Sequence, residues 1–276
     1  MPAEFSLELY SDRELFLPRF TGYISRGLLL NIVREVNPAV AQNLHEGNRP
    51  KPYSVTPIYF KAKTRTEEGF TVDPMYPCRV KFRFLRDEDG RLVTQYFLKK
   101  TTVSIFDVSL QIASIAIRSK EFKELEEEST PQGSFRIYFK TPTYLATLGS
   151  SYHYLFPEPT RIFLNLLRLW NIYTTGRKYS REEFIAYKDW VTKQLGVSEH
   201  RLATRLVYMG RKKAKGFVGW ATYESKTMGQ WGKLTITLAR FAEYSNVGGN
   251  RTGGFGVVRL DCGKGIIATD TSGWSH

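Results

Sequence analysis

Hydrophobic and polar residues alternate over several segments of this chain, which is the pattern of a β-strand with one buried face. The alternation is clearest over residues 4–10 and 79–86. The second segment has three apolar residues on one face and three cations on the other: Val80, Phe82 and Phe84 against Arg79, Lys81 and Arg83. Residues 87–90 (Asp-Glu-Asp-Gly) predict a turn after that strand. Further strands are predicted over residues 53–63, 92–98, 101–117, 134–140, 202–209, 216–223 and 254–260.

Apolar residues spaced three and four apart predict helices over residues 21–36, 159–173 and 234–244. Pro38 ends the first of them and favours the start of a short second helix, which ends near His45. Ser180 and Glu183 have the spacing of a capping box, and this predicts another helix from there to about Leu195.

The predicted elements follow each other in a similar order in the two halves of the chain. Each half approximates strand, helix, strand, strand, helix, strand, the ferredoxin-like plan that RNA-recognition modules also use. The first half fits less well, because its later part is rich in strands and its second helix is unclear. An acidic stretch that ends in Pro-Gln-Gly, residues 121–133, separates the halves. We therefore predict an α+β protein with two tandem ferredoxin-like domains, residues 1–125 and 134–276.

A glycine-rich loop follows the last predicted helix. Its members are Gly248, Gly249, Asn250, Arg251, Thr252, Gly253, Gly254, Phe255 and Gly256. Glycines let the backbone turn freely and approach a bulky ligand, and exposed N–H groups in such a loop suit phosphate. The loop is not a Walker loop, since no Gly-Lys-Ser/Thr closes it, and no strand immediately precedes it as a dinucleotide fingerprint requires.

The net charge of the chain indicates which kind of anion such a loop would bind. Forty Lys and Arg against 27 Asp and Glu give a formal charge of +13 and a pI near 9.6, which favours nucleic acid over an anionic membrane. No apolar run approaches the ~20 residues of a membrane-spanning helix, so we expect a cytoplasmic protein. Four His and two Cys show no ligand-like spacing, and neither a metal site nor a cofactor is expected.

Three features together resemble one known family. They are the glycine-rich loop before a last strand, the segment LHEGNRPKPYSVTPI at residues 44–58 after a helix, and two ferredoxin-like halves with a basic surface. The chain is similar in these respects to the CRISPR repeat-processing endoribonucleases, the sixth Cas family of the RAMP superfamily. The resemblance implies metal-independent cleavage of the repeat in precursor CRISPR RNA by attack of the ribose 2′-OH. The implied products carry a 2′,3′-cyclic phosphate and a 5′-OH.

The resemblance also implies catalytic residues. In the family a His after the first helix and a Lys a few residues later share the work, often with a Tyr on the helix. His45 and Lys51 fall on the first two positions, and an imidazole titrates near neutral pH, which suits proton transfer. Leu30 stands at the tyrosine position, so Tyr23 and Arg26 near the start of the helix are the candidate substitutes.

Several cations and the glycine-rich loop are predicted to hold the RNA. Arg49 flanks the proposed active site, and a basic turn joins two strands of the second half through Arg211, Lys212, Lys213 and Lys215. Phosphate neutralisation by such residues dominates nucleic-acid affinity. For the cationic face of residues 79–83, both an RNA surface and a solvated face remain open.

Other functions are compatible with parts of the pattern. The same superfamily contains subunits that hold processed CRISPR RNA in an interference complex without cutting it, and Leu30 in place of a tyrosine fits that alternative. A general RNA-binding protein with paired recognition modules would show aromatic-rich motifs on central strands, which residues 215–219 only approach. An enzyme acting on a small anion would not need so broad a basic surface. Precursor repeat RNA is the expected partner, an interference complex is a further one, and the chain is expected as a monomer or homodimer.

Overall fold

The computed structural model describes residues 1–46, 50–147, 149–210 and 212–263. Within these ranges the chain forms seven helices, one 3-10 turn and twelve strands, which build three antiparallel sheets. Across the same residues, no helix combines the length and the apolar character that crossing a bilayer requires.

The first half builds a five-stranded sheet in the order β3-β6-β1-β8-β7 and a small sheet in the order β2-β5-β4. Buried side chains such as Leu7, Leu29 and Phe82 join the larger sheet and the first helix in one core. The elements are β1 (Ala3–Ser11), β2 (Phe16–Pro18), α1 (Gly22–Val36), α2 (Pro38–His45), β3 (Tyr53–Val55), β4 (Ala62–Arg65), β5 (Gly69–Val72), β6 (Cys78–Phe84), α3 (Asp87–Phe97), β7 (Thr102–Ile105) and β8 (Val108–Ser119).

The second half builds a four-stranded sheet in the order β10-β11-β9-β12. Its helices pack on one face of that sheet, and Trp170, Phe163 and Phe241 are among the buried residues of this second core. The elements are α4 (Phe122–Glu127), β9 (Ser134–Thr143), α5 (Pro159–Tyr173), α6 (Arg181–Gln194), β10 (Leu195–Met209), β11 (Lys212–Ser225), α7 (Gly229–Ser245), the 3-10 turn (Arg251–Gly253) and β12 (Val258–Asp261).

The helix starts that the sequence predicts are confirmed with their capping contacts. Asn37 precedes Pro38 at the start of α2, and its Oδ1 accepts a hydrogen bond from the Val40 N–H at 3.1 Å. At α6 the capping box is complete: the Ser180 and Glu183 side chains each accept the other's backbone N–H, at 3.2 and 2.8 Å. These contacts satisfy backbone donors that a helix start leaves without a partner.

One predicted turn and strand are wrong, because residues 87–97 form helix α3 instead of a turn and a continuing strand. The acidic run Asp87, Glu88 and Asp89 lies in the first turn of the helix, where carboxylates are favoured by the helix dipole. Val93 and Tyr96 lie one turn apart and are buried against the sheet. The strand predicted over residues 53–63 is also divided, into β3 and part of β4, and the last strand begins at Val258.

The acidic stretch between the halves is not all linker. Phe122 and Leu125 of α4 are buried in the second core, where the Phe122 ring lies 5.0 Å from Trp170 between centroids. Apolar residues three apart on a short helix are sufficient to attach it to a neighbouring core.

The cationic face predicted for β6 is occupied by ion pairs with β1. Arg79 Nε lies 2.8 Å from Glu8 Oε1, and Lys81 Nζ lies 3.0 Å from Glu4 Oε1. Arg83 is buried, and its Nε lies 2.7 Å from Glu4 Oε2. All three cations are therefore paired within the sheet, which does not favour the interpretation of this face as an RNA surface.

Glu4 is a buried carboxylate whose charge depends on these partners. Burial by itself would raise the pKa of Glu4, but the charges of Arg83, Lys81 and Arg118 and the hydrogen bond from Arg83 outweigh it. The pKa falls from its ordinary value of 4.5 to about 2. Because the folded-state pKa is depressed, Glu4 contributes stability above pH 4.5 that is lost as the pH falls towards about 2.

We expect Glu4→Gln to lower the free energy of unfolding by about 3–5 kcal/mol at neutral pH, since the buried Arg83 charge loses its partner. Denaturant unfolding of both proteins at a series of pH values should show the difference narrowing by roughly 3 kcal/mol between pH 4.5 and pH 2. Glu8→Gln on the same strand is the control, because its pair with Arg79 is largely exposed and should change stability by less than about 1 kcal/mol. A difference between wild type and Glu4→Gln that is constant over this pH range would contradict the prediction.

Candidate functional site

His45 and the ammonium group of Lys51 both lie at the C-terminal end of α2. His45 is the last residue of that helix and is exposed. Lys51 returns to the same helix end, where its Nζ donates to the carbonyl oxygens of Asn43, at 3.4 Å, and of Glu46. Carbonyl oxygens at a helix C-terminus attract cations, so the ammonium group is held within two residues of His45 along the helix.

The environment of Lys51 changes its proton affinity. Burial lowers the pKa of the Lys51 ammonium, and the nearby Glu46 carboxylate opposes that effect. A lysine with a lowered pKa releases its proton more readily, which suits a group that protonates a departing oxygen.

The backbone on both sides of the Lys51 peptide is held from the second half of the chain. The Tyr173 hydroxyl, at the end of α5, donates to the carbonyl oxygen of Pro50. Arg251 Nη2 donates to the carbonyl oxygen of Lys51 at 3.1 Å. These two contacts fix residues 50–51 against the second core, and therefore set where the Lys51 side chain begins.

Arg251 lies inside the protein, although the sequence predicts it as an RNA contact. Its side chain is only 8% exposed, and its Nη1 donates to the Ser245 carbonyl oxygen at 2.7 Å. Burial lowers the pKa of the Arg251 guanidinium to about 10. The guanidinium donates to the backbone oxygens of Ser245 and Lys51, so in this structure Arg251 positions the Lys51 segment.

The glycine-rich loop packs closely against the protein itself. A Cβ on Gly22, at the start of α1, would lie 2.0 Å from the carbonyl oxygen of Gly253, and a Cβ on Gly249 would lie 2.1 Å from the Tyr144 ring. Real side chains do not tolerate such distances. Glycine is therefore required here because two backbones and a ring approach each other, and the loop joins the start of α1 to the segment of Lys51.

Four glycine N–H groups of the loop are already bonded within the protein, which corrects the prediction that they are exposed for phosphate. The Gly249 N–H donates to the backbone carbonyl oxygen of Tyr144 at 2.9 Å, and the Gly256 N–H donates to that of Pro142 at 3.1 Å. The other two bonds lie within the loop: Gly253 donates to Asn250 at 2.9 Å, and Gly254 to Arg251 at 3.3 Å.

Gly248 and Asn250 are two of the half-buried members of the loop. Gly248 has a φ of +77°. Asn250 Nδ2 lies 3.5 Å from the Met209 sulfur at the end of β10. The loop therefore also contacts the strand that leads into the basic turn.

The structural role of Asn246 was not predicted from the sequence. This residue is completely buried at the end of α7, with a φ of 56° and a ψ of 174°, a backbone region that is strained for any residue other than glycine. Its Oδ1 accepts from Arg83 Nη1 at 2.8 Å, and its Nδ2 donates to the carbonyl oxygens of Val55 at 3.1 Å and Phe255 at 3.0 Å. An asparagine after an apolar helix run is too common to reveal such a network.

The candidate substitutes for the helix tyrosine lie on the first turns of α1. Leu30 is buried in the first core and has no access to a substrate. Tyr23 and Arg26 are half-buried, and burial raises the pKa of Tyr23. Arg26 lies near Tyr53: burial raises the pKa of Tyr53, while the Arg26 charge and a hydrogen bond with Thr252 lower it. Arg26 is therefore near the loop that contacts the Lys51 segment.

The basic turn lies at the far end of two long strands. Lys212, Lys213 and Lys215 begin β11 and are exposed. Two other predicted RNA contacts, Arg49 and Arg211, lie outside the described residues. The structure thus places His45 and the Lys51 ammonium at one helix end and Arg251 behind the Lys51 backbone, and the lysines lie at a hairpin tip that adjoins the glycine-rich loop through Met209 and Asn250.

Comparison with known proteins tests the resemblance to the CRISPR repeat-processing endoribonucleases. Residues 137–258 match the family model of the CRISPR-associated endoribonuclease Cas6. A CRISPR-associated endoribonuclease Cas6 of Streptococcus thermophilus is 26% identical over 184 residues, which cover 64% of this chain and 72% of that protein.

The fold is similar to solved structures over nearly the whole chain. A Cas6 product complex has a TM-score of 0.78 with 24% identity, covering 94% of this chain and 99% of the other. Thermus thermophilus Cas6 has a TM-score of 0.70 with 23% identity, and the match covers 94% of this chain and 98% of the other. A structure described as a RAMP protein binding different RNA substrates has a TM-score of 0.61 with 14% identity, covering 94% and 99%. The resemblance that the sequence suggests is confirmed.

Proposed function

Because the chain is similar in sequence and fold to CRISPR-associated endoribonucleases of the Cas6 type, we propose that it belongs to that family and cuts repeat RNA without a metal ion, by internal transesterification. The observation that carries this proposal is the arrangement at the end of α2. There the Lys51 ammonium is held beside the exposed His45, and the glycine-rich loop and Tyr173 fix the backbone from which Lys51 extends.

The reaction needs a base, an acid and positive charge. The base removes the proton of the ribose 2′-OH, and the oxygen then forms a bond to the adjacent phosphorus while the bond from phosphorus to the 5′-oxygen breaks. The acid gives a proton to that leaving oxygen. The products are a 2′,3′-cyclic phosphate and a 5′-OH, so atoms and charge balance without a metal or an added nucleophile.

His45 and Lys51 divide these roles. His45, exposed at a helix end, transfers a proton, as an imidazole does efficiently near neutral pH. Lys51 stabilises the charge of the pentavalent phosphorus or protonates the leaving oxygen, and its lowered pKa suits the second role. Tyr23 and Arg26 are the further candidates, because the loop that holds Lys51 also contacts the start of α1 at Gly22.

The projecting lysines bind the repeat. Lys212, Lys213 and Lys215 are exposed at the start of β11. Arg211 precedes them in the sequence and is proposed to share this role. A cluster of this charge contacts phosphates irrespective of sequence. Arg49, between His45 and Lys51 in the chain, is proposed to contact the scissile strand.

The order of elements supports two tandem ferredoxin-like domains in this protein. Helices α1 and α3 alternate with strands that stand in the order β3-β6-β1-β8, and α5 and α7 with strands in the order β10-β11-β9-β12. Both orders follow the split βαβ plan. Precursor repeat RNA is the proposed partner of both halves, and an interference complex is the proposed recipient of the product.

Cleavage in EDTA tests the mechanism. A labelled repeat RNA incubated with the protein and EDTA is expected to be cut at one position, while the same RNA with a 2′-deoxy sugar just upstream of the cut stays intact. The 3′ end of the upstream product should resist 3′ end-labelling until its cyclic phosphate has been opened and the resulting monophosphate removed.

Two outcomes would contradict the mechanism. Cutting of the 2′-deoxy RNA would exclude attack by the 2′-OH, and cutting that requires added divalent metal would exclude a metal-independent reaction. Tight, salt-sensitive binding of both RNAs without any product would instead identify the protein as a non-catalytic RAMP-type subunit.

A further inference from the structure

One residue from each strand of the second sheet stands in a row across its outer face. In the strand register, Arg201 on β10 lies opposite Trp220 on β11. Trp220 lies opposite Tyr138 on β9, and Tyr138 lies opposite Arg259 on β12. The strand order is β10-β11-β9-β12, so the two aromatic residues are neighbours on the two central strands. We refer to Trp220 and Tyr138 as the aromatic pair.

The aromatic pair faces away from the core. On the same strands, the adjoining residues Ile137, Phe139 and Ala221 are buried under the helices, because successive side chains of a strand point to opposite faces. Trp220 and Tyr138 are half-buried. Their rings therefore belong to the surface that the helices leave uncovered.

Cations lie over both rings. Arg136 Cζ is 3.9 Å from the centroid of the Trp220 ring, and Arg259 Cζ is 4.7 Å from that of Tyr138. Lys140 Nζ is 5.4 Å from the Tyr138 centroid. Such contacts hold guanidinium groups flat against aromatic faces and leave their edges available to other acceptors.

The charge of this face differs from that of the first sheet. There, each of the three β6 cations is paired with a carboxylate of β1. Here Arg136 forms an ion pair with Glu199 at 2.9 Å, whereas Arg201 and Arg259 have no carboxylate within ion-pair distance among the residues that the structure describes. The outer face of the second sheet thus presents uncompensated positive charge around two aromatic rings.

We propose that this face binds unpaired RNA, with bases stacked on Trp220 and Tyr138 and phosphates held by Arg201 and Arg259. A base has a flat π-face and a charged backbone, and the four-strand row offers a match for both. An acidic protein segment would match the cations but not two adjacent rings. The proposal rests on the proposed function for its ligand, which is a stretch of the cleaved transcript that carries no base pairs.

Binding of a short unstructured RNA tests the platform. We expect the full chain to bind a fluorescein-labelled mixed-sequence RNA of ten nucleotides, measured by anisotropy. Trp220→Ala and Tyr138→Ala should each weaken that binding by about 5- to 100-fold, the effect of losing one stacked base. Trp220→Phe keeps an aromatic face and should retain affinity within about threefold.

Trp190→Ala is the matched control, since Trp190 is a half-buried tryptophan of α6, away from the sheet face. Photo-crosslinking with 5-iodouridine in the decamer provides a second readout, and the crosslinked peptide should contain Trp220 or Tyr138. The inference is overturned if the wild type does not bind the decamer, if both alanine variants bind it as tightly as the wild type, or if crosslinks form only elsewhere.

These outcomes are separate from those of the cleavage test. If the wild type cuts repeat RNA in EDTA and the alanine variants bind the decamer normally, the platform is wrong and the proposed function stands. If the variants lose binding but the wild type does not cut, the cleavage proposal fails and the RNA-binding face stands.

Discussion

Replacing His45 by alanine is expected to slow single-turnover cleavage of repeat RNA by about 10²- to 10⁴-fold, the usual contribution of a general acid or base. The side chain is exposed at the end of α2 and has no packing role that its loss would disturb. Affinity for an uncleavable 2′-deoxy repeat should therefore change by no more than about threefold. Rapid mixing with excess protein, followed by denaturing gel electrophoresis, measures the rate.

Two substitutions of Lys51 distinguish charge stabilisation of the phosphorus from proton donation to the leaving oxygen. Lys51→Ala should reduce the rate by a similar factor. Lys51→Arg keeps the positive charge, but a guanidinium does not give up its proton near neutral pH. A rate restored by arginine would indicate charge stabilisation, and a rate that stays low would indicate proton donation to the leaving oxygen.

His200→Ala is the matched control for the histidine variant. His200 is an exposed histidine on β10, outside the proposed site, and its replacement should change the rate by less than about twofold. If His45→Ala and Lys51→Ala both cleave at the wild-type rate, the assignment of the site at the end of α2 is wrong.

Replacing Asn246 by alanine is expected to lower the free energy of unfolding by about 3–5 kcal/mol. The amide connects the first sheet, through Arg83 and Val55, to the glycine-rich loop, through Phe255 and the Arg251 carbonyl oxygen. Its loss leaves buried polar groups without partners, including one side of a buried guanidinium.

Asn246→Gly isolates the role of the side chain from that of the backbone. Glycine adopts the positive φ of this position without strain, so it should recover about 1–3 kcal/mol of the loss seen in alanine. Recovery should nevertheless remain incomplete, because glycine does not restore the amide. Denaturant unfolding with both variants measures the two contributions.

Phe106→Gly is the control for the effect of the positive φ alone. Phe106 has a φ of 55°, close to that of Asn246, but its side chain is 65% exposed. Because its φ is as positive as that of Asn246, we expect Phe106→Gly to raise the free energy of unfolding by a similar amount, about 1–3 kcal/mol. An Asn246→Ala protein as stable as the wild type would show that the network does not hold the two halves together.

Local patterns were sufficient for most elements of this fold. The alternation over β1 and β6 and the three-and-four spacing over α1 and α5 reflect burial of one face, which depends only on residues close in the chain. The capping box at Ser180 is likewise local. Helix α3 was missed because an acidic run before a glycine is typical of a turn, and only packing of Val93 against the sheet distinguishes the two.

The candidate site was predicted only in part. His45 and Lys51 are six residues apart and were predicted from a motif, whereas the contacts of Tyr173 and Arg251 that hold residues 50–51 come from the other half of the chain. The cationic face of β6 was ambiguous in the sequence, because the partners Glu4 and Glu8 lie on another strand, more than 70 residues away.

The sequence by itself indicated most of the strands and helices, the resemblance to the CRISPR repeat-processing endoribonucleases, and the candidate pair His45 and Lys51, because these depend on local periodicity and on a contiguous motif. Only the tertiary structure decided that Arg251 faces inward. The carbonyl oxygen that it binds belongs to Lys51, 200 residues earlier, and no local signal shows whether an arginine beside glycines meets solvent or backbone. Trp220 and Tyr138 illustrate the same limit, since strand register alone makes them neighbours.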